Sequence, residues 1–413
     1  MILAAKQTLS WTIVPSPRSV LRAMPMRRIP YFKILTSVDG CPRLLRAVGL
    51  GAAGETCRLG LSDCLCRQCC GLPWGSIAVA KRGPGYLLHS HLLGTGAYCP
   101  KRILTNQDLE KLVDTTNAWI IARTGIKERR IAAEGEVTSD MAVVAARHAL
   151  AMASTRAEDL DMIIVATVSA DMPLPSCAVI VQAKLGAARA FAFDLGAACA
   201  GSLYALSIAD QFIKTGKARR VLVIGAELLS RLVDWSDRNT CVLFGDAAGA
   251  MVVGPARDPG RGLLSTHLHS DGTAAGMLSI PGGGSQHPQS AEVLAKNMHK
   301  IAMNGREIYK FAVRVLPQAI LEALAANGLT VGDIDHLVSH QANARIVESV
   351  LERLGIPLEK CWLNLERYGN TSSASLPISL DEANRAGRLK PGDLIAMMAI
   401  GAGMTWGSAL MRW

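Results

Sequence analysis

The stretch Phe191-Ala-Phe-Asp-Leu-Gly-Ala-Ala-Cys199-Ala-Gly-Ser-Leu-Tyr-Ala-Leu206 decides the fold. It runs from an apolar strand (Ala190–Leu195) through a turn of small residues into a helix-compatible segment. That segment ends at a second apolar run, Arg220–Glu227 (RVLVIGAE). Upstream, Leu160–Ser169 (LDMIIVATVS) is rich in Ile and Val with no polar alternation, the pattern of a strand buried on both faces. Strand, helix and strand at this spacing predict a βαβ unit and a parallel sheet.

Further out the punctuation stays regular. Leu87–Gly96 is expected to be a short strand, and Thr105 with Asp108 forms a capping-box start to a helix through about Asp114. Ile334–Ser339 is a strand leading into His340-Gln-Ala-Asn343-Ala-Arg345, followed by a helical run to Leu354. Leu394–Met411 is nearly free of charge and long enough for a membrane span, but Gly401, Gly403 and Gly407 interrupt it. A β-turn-β is expected there and no transmembrane helix. Two α/β halves, 86–257 and 258–413, thus predict an internally duplicated, layered α/β/α/β/α fold.

Composition narrows the function. Half of the 413 residues are hydrophobic, 19% are charged and 38 are glycine, a core-forming chain. The net charge of +10 is not evenly spread. Residues 1–85 hold 12 Lys and Arg against 3 Asp and Glu, whereas 86–413 hold 32 against 31. The body is near neutral, which excludes a nucleic-acid-binding reading of the whole. Residues 1–85 also carry Pro15, Pro17, Pro25 and Pro30, no sustained amphipathic period, and six of the 11 cysteines. They lack the apolar core of a secretion signal, and the few serines disfavour a plastid transit peptide. Cys66 and Cys69 have a metal-like spacing, but no second pair follows. This segment is read as a poorly ordered extension, such as translation from an unused upstream start would produce, on a cytoplasmic enzyme. The remaining cysteines are scattered, as in a reducing compartment, and no metal site is expected.

Cys199 falls at or just before the first turn of its helix. Unpaired main-chain N–H groups there favour a thiolate, so a lowered thiol pKa is expected, and the same groups can hold an oxyanion. A small buried cysteine filling a tight corner accounts for this segment equally well. His340 opens another strand-to-helix corner. Asn370 lies in Tyr368-Gly-Asn-Thr-Ser-Ser-Ala-Ser-Leu-Pro377, a turn of small polar residues. Singly these read as a core histidine and a capping asparagine. Together the three supply a thiol to carry an acyl group and two donors to stabilise a thioester enolate after loss of carbon dioxide. The same set fits a thiol protease or a plain acyltransferase.

The segments DLGAACAGSLYAL, HQANARI and YGNTSSASLP resemble the three catalytic motifs of β-ketoacyl-acyl carrier protein synthase III, of the thiolase superfamily. TNQDLEKLVDTTNAWIIARTGIKERRIA, FGDAAGA and MTWGSALMRW are similar to that family too, and the likeness spans 86–413. The resemblance implies a five-layer thiolase fold, a homodimer, no cofactor and no membrane or nucleic-acid partner. It implies that an acyl-CoA acylates Cys199 and that malonyl-acyl carrier protein then condenses with the acyl group, with His340 and Asn370 serving decarboxylation. It places Trp119 and Arg238 around the CoA adenine, and Thr115, Arg123 and Asn343 along the CoA channel. Arg345, with Lys310 and Arg353, would contact the carrier protein. Ala402 stands where a glycine N–H usually completes the oxyanion hole beside Cys199. Leu174, from the partner subunit, stands where a phenylalanine often closes the acyl pocket, so primers larger than acetyl are expected. A related synthase priming a polyketide or alkylquinolone pathway, a non-condensing acyltransferase, and a carrier-protein-binding scaffold are the alternatives. Intact Cys199, His340 and Asn370 disfavour the scaffold.

Overall fold

The computed structural model describes residues 89–258 and 260–413. The expectations for residues 1–85, including the Cys66–Cys69 spacing, lie outside the described residues.

Two sheets carry the body. The first has five strands in the order Ser90–Tyr98, Ala247–Pro255, Val221–Glu227, Met162–Ala166, Phe191–Leu195. Met162–Ala166 is parallel to both of its neighbours, as the βαβ reading requires. The second has four strands in the order His336–Ser339, Leu394–Gly401, Thr405–Arg412, Gly262–Ser270. The charge-free run near the carboxyl terminus is an antiparallel hairpin that pairs Leu394 with Arg412 and Gly401 with Thr405. Among the described residues no helix is long and apolar enough to cross a membrane.

Strand alternation builds the layers. Met162, Ile164, Val221 and Val223 point inward to a central layer, where they meet Ile395 and Met397 of the other sheet. Between the sheets lie the helices Gly201–Lys214 and Ser375–Arg385, through Leu203, Leu206, Leu376 and Leu380. The opposite residues, Ile163, Val165, Leu222 and Ile224, pack beneath helices Thr138–Met152 and Cys177–Leu185. Ala396 and Met398 face helices Gly305–Ala326 and Ala344–Leu354. Because both faces of each sheet are covered, the strands are apolar throughout. The result is the five-layer α/β/α/β/α arrangement.

The two central helices begin alike. Each follows a short 3-10 turn, Ala198–Ala200 or Ser372–Ala374. Each turn opens on a non-glycine residue in the left-handed region, Ala198 at φ +46° and Ser372 at φ +49°. The expected helix from Thr105 to Asp114 is shorter than the sequence implies. Its capping box forms, with the Asp108 N–H donating to Thr105 Oγ1 at 3.2 Å and the Thr105 N–H to Asp108 Oδ2 at 3.1 Å. The helix nevertheless stops at Leu109, and Leu112 beyond it is 55% exposed. The other expected strands are in place, with described ends shifted by at most three residues; Leu87 and Leu88 of the first lie outside the described residues.

Candidate active site

Cys199, His340 and Asn370 line one cavity of about 970 Å³, and Trp119, Arg123, Lys310, Asn343 and Arg345 line the same cavity. Each element delivers its side chain for a local reason. The left-handed turn at Ala198 swings Cys199 off the end of Phe191–Leu195 and into the first turn of the central helix. The end of Leu394–Gly401 closes on that turn: a Cβ on Gly401 would lie 2.6 Å from the Cys199 main-chain nitrogen, so only glycine fits.

His340 continues its strand, its N–H donating to the Met398 carbonyl at 2.8 Å. The next residue fixes the corner. Gln341 donates to the Trp362 carbonyl at 2.8 Å and accepts from the Asn364 and Leu365 N–H groups at 2.9 and 3.0 Å. Asn370 is held by its main chain, donating to the Leu243 carbonyl at 2.8 Å and accepting from the Gly245 N–H at 3.1 Å. Its side-chain Oδ1 accepts from the Ser372 N–H at 2.9 Å. With the oxygen committed, the amide NH₂ remains as a donor.

The electrostatics correct one expectation. The Cys199 thiol is not lowered by its helix: burial pushes it up to about 12, and the Glu227 carboxyl adds to the shift. The Ser372 hydroxyl and the main-chain N–H oppose it and lose. The thiol is therefore neutral in the free site. Burial also lowers His340 to about 4, only partly offset by the Ser372 main chain, so its imidazole is neutral at physiological pH. Among the described residues neither ring nitrogen has a hydrogen-bonding partner within ordinary hydrogen-bond geometry.

Helix Asn117–Thr124 shapes the mouth. Thr116 caps it by accepting from the Trp119 N–H at 3.1 Å, and Gly125 ends it at φ +80°. Asn343 joins this helix to the histidine loop: its Nδ2 donates to the Arg123 carbonyl and its Oδ1 accepts from the Arg345 N–H, both at 2.9 Å. Arg238 does not line the cavity but lies 5.0 Å over the Trp119 ring, and Arg123 lies 5.7 Å from it. A base held between Trp119 and Arg238 needs on the order of 7 Å, two stacking rises, so this pair must part to admit one.

The other expected residues divide between the cavity wall and positions outside it. Thr115 keeps a buried hydroxyl without a partner among the described residues and does not line the cavity. Lys310 pairs with Glu307 at 2.8 Å, and Arg345 lies over Tyr309. Arg353 is exposed near the far end of Ala344–Leu354, away from the cavity. Leu174 is 84% exposed and outside the cavity. Ala402 is not in the left-handed region; Gly403, at φ +135°, carries that conformation instead. Its Cβ therefore brings no strain, and its N–H is retained. Among the described residues no three His, Cys, Asp or Glu side chains converge as for a metal.

Sequence reasoning missed Arg306 at the cavity, the close approach at Gly401 and the buried Glu227 behind the site. Glu227 had a signal: it is the one acid at the end of an otherwise apolar strand.

Residues 193–272 match the family model described as 3-oxoacyl-[acyl-carrier-protein] synthase III, and residues 324–413 match its C-terminal counterpart. The chain is 55% identical over 322 residues to a β-ketoacyl-[acyl-carrier-protein] synthase III of Caldanaerobacter subterraneus, covering 78% of this chain and 97% of that one. The crystal structure of 3-oxoacyl-[acyl-carrier-protein] synthase III from Aquifex aeolicus superposes with TM-score 0.73 at 48% identity, covering 78% of this chain and all of that one. The priming β-ketosynthase of the R1128 polyketide pathway superposes with TM-score 0.73 at 37% identity, covering 80% and 98%.

Proposed function

Because the chain belongs to the 3-oxoacyl-[acyl-carrier-protein] synthase III family, we propose that it primes fatty acid synthesis by condensing an acyl-CoA with malonyl-acyl carrier protein. The observation that carries this reading is the shared cavity joining a neutral thiol, a neutral imidazole without partners among the described residues and an amide with its oxygen committed.

In the first half-reaction the Cys199 sulfur attacks the acyl-CoA carbonyl carbon. The Cys199 and Ala402 N–H groups receive the developing oxyanion. The CoA sulfur leaves and takes up the thiol proton. In the second, the His340 ring N–H and the Asn370 NH₂ donate to the thioester oxygen of malonyl-acyl carrier protein. An imidazole held at about 4 is a weak base, so His340 acts as a donor and not as a proton acceptor. Loss of carbon dioxide leaves an enolate on that oxygen. The enolate carbon attacks the acyl group on Cys199, giving 3-ketoacyl-carrier protein, and the released thiolate takes up one proton.

Trp119, Arg123, Arg238 and Asn343 serve the CoA arm. Arg345 and Lys310, with Arg353 further along the helix, form a basic rim for an acidic carrier protein. The chain would act as a homodimer through the edge strand Phe191–Leu195, where Phe191, Val168 and Met172 are 43–48% exposed. Leu174 would then close the partner's acyl pocket, and with no ring there the pocket accepts primers larger than acetyl. A steep preference for acetyl-CoA over butyryl-CoA and longer primers would remove that specificity. The domain division into 86–257 and 258–413, and a cytoplasmic location, complete the reading.

The test follows the mass of the intact protein after addition of acyl-CoA, then of malonyl-acyl carrier protein. Cys199→Ala gains no acyl mass. His340→Ala and Asn370→Ala gain it but form little 3-ketoacyl product. Acylation of the wild-type chain without any condensation would favour a plain acyltransferase.

A further inference from the structure

Glu227 ends the strand Val221–Glu227, and its side chain is wholly buried. Oε2 accepts from the Val168 N–H at 3.1 Å and the Ser169 hydroxyl at 2.7 Å. Oε1 lies 3.0 Å from both the Ser372 and Ser373 hydroxyls. Those serines come from the other half of the chain, in the turn that carries Asn370. Ser372 sits at φ +49°, a conformation that strains a non-glycine residue unless its surroundings fix it. Its N–H is the group that engages Asn370 Oδ1. Gly225, two residues earlier on the same face as Glu227, has no side chain, and a Cβ there would overlap the Ser373 carbonyl. The strand is thus cleared to let this turn approach.

Resting on the function proposed above, we propose that Glu227 is a positioning residue for the condensation half-reaction: by holding Ser372 and Ser373 it fixes the turn that aims the Asn370 amide into the cavity. A buried acid is a costly way merely to fill space, since an apolar side chain avoids the desolvation. What Glu227 supplies, and an apolar residue does not, is a grip on two hydroxyls across the two halves. Ser373 has one hydroxyl hydrogen and also lies 2.7 Å from the Ala166 carbonyl. In its protonated form, which burial favours, the carboxyl group can donate to Ser373 and satisfy the whole set. The glutamine amide can do the same.

The experiment separates the half-reactions in the full chain. Cys199 acylation by acyl-CoA is followed by intact mass, and product formation is then measured from pre-acylated enzyme and malonyl-acyl carrier protein. Glu227→Leu fills the space without hydrogen bonds and is expected to slow condensation by about 10²-fold while leaving acylation within about threefold. Glu227→Gln is expected to recover most of the condensation rate. In an Asn370→Ala background, Glu227→Leu is expected to add less than about threefold, because its effect passes through the amide already removed. Equal losses in both half-reactions, a multiplicative loss with Asn370→Ala, or a Glu227→Gln enzyme as slow as Glu227→Leu would each overturn the assignment. If Glu227→Leu does not fold, Ser373→Ala must show the same selective loss. A wild-type chain that acylates without condensing would instead defeat the parent function.

Discussion

Replacing Gly401 with alanine tests whether the cysteine turn is held by the close approach of the neighbouring strand. The added Cβ would lie 2.6 Å from the Cys199 nitrogen, 2.8 Å from the Ala197 oxygen and 2.9 Å from the Ala200 nitrogen. All three are main-chain atoms, so no flexible side chain can swing aside. Moving the first contact from 2.6 Å to an ordinary 3.4 Å requires a shift of ~0.8 Å in the turn or in the strand end. Such overpacking costs about 1–3 kcal/mol of stability. It also displaces the sulfur and the Cys199 N–H relative to the acyl carbonyl, and a misplacement of about 1 Å costs roughly 10²-fold in rate. The measurement is the single-turnover rate of Cys199 acylation, read as acyl mass gained against time. Gly196→Ala is the control. It lies three residues before the cysteine, yet a Cβ there meets nothing within 4 Å. The control should acylate normally with stability changed by no more than about 0.5 kcal/mol. A Gly401→Ala enzyme that acylates within threefold of wild type would show that the turn yields freely, and the packing argument would be wrong.

Trp119→Ala and Arg238→Ala should each raise KM for acyl-CoA by roughly 3- to 30-fold with kcat little changed, the mark of binding lost equally in ground and transition states. An unchanged KM in both would remove the Trp119–Arg238 pair from the CoA site. His340 should make stability depend on pH. Its folded pKa of about 4 lies below the ordinary 6.5, so its contribution is present above about pH 6.5 and is lost as pH falls towards 4. The loss is on the order of 3 kcal/mol. Guanidinium melts of wild type and His340→Asn, at one protein concentration, should therefore converge between pH 7 and 5; parallel curves would contradict the buried neutral imidazole. Leu174→Phe should narrow the primer range towards acetyl-CoA, and an unaltered preference would take Leu174 out of the pocket.

What the sequence made legible follows from the range of the forces involved. The unbroken apolar runs of Met162–Ala166 and Val221–Glu227 are a local property, and small-residue turns after apolar strands mark where side chains leave a sheet; strands and corners were therefore readable. The thiol pKa was not, because it depends on what covers Cys199 from distant segments, and that covering outweighs the helix start. Nor were the left-handed turns, since neither Ala198 nor Ser372 is a residue that advertises the conformation. Yet those two turns explain the site better than either motif alone. They are the same device used once in each half, Ala198-Cys-Ala-Gly201 before one central helix and Ser372-Ser-Ala-Ser375 before the other. By that repetition Ser373 stands in its half where Cys199 stands in the other. One copy presents the nucleophile to the cavity; in the other, the equivalent position turns inward to the Ala166 carbonyl and Glu227, and the residue three places earlier, Asn370, presents the amide. A site formed by two copies of one turn must lie in the layer where the halves meet. Its geometry is then set by the few polar contacts across that layer, which is why a fully buried acid belongs there.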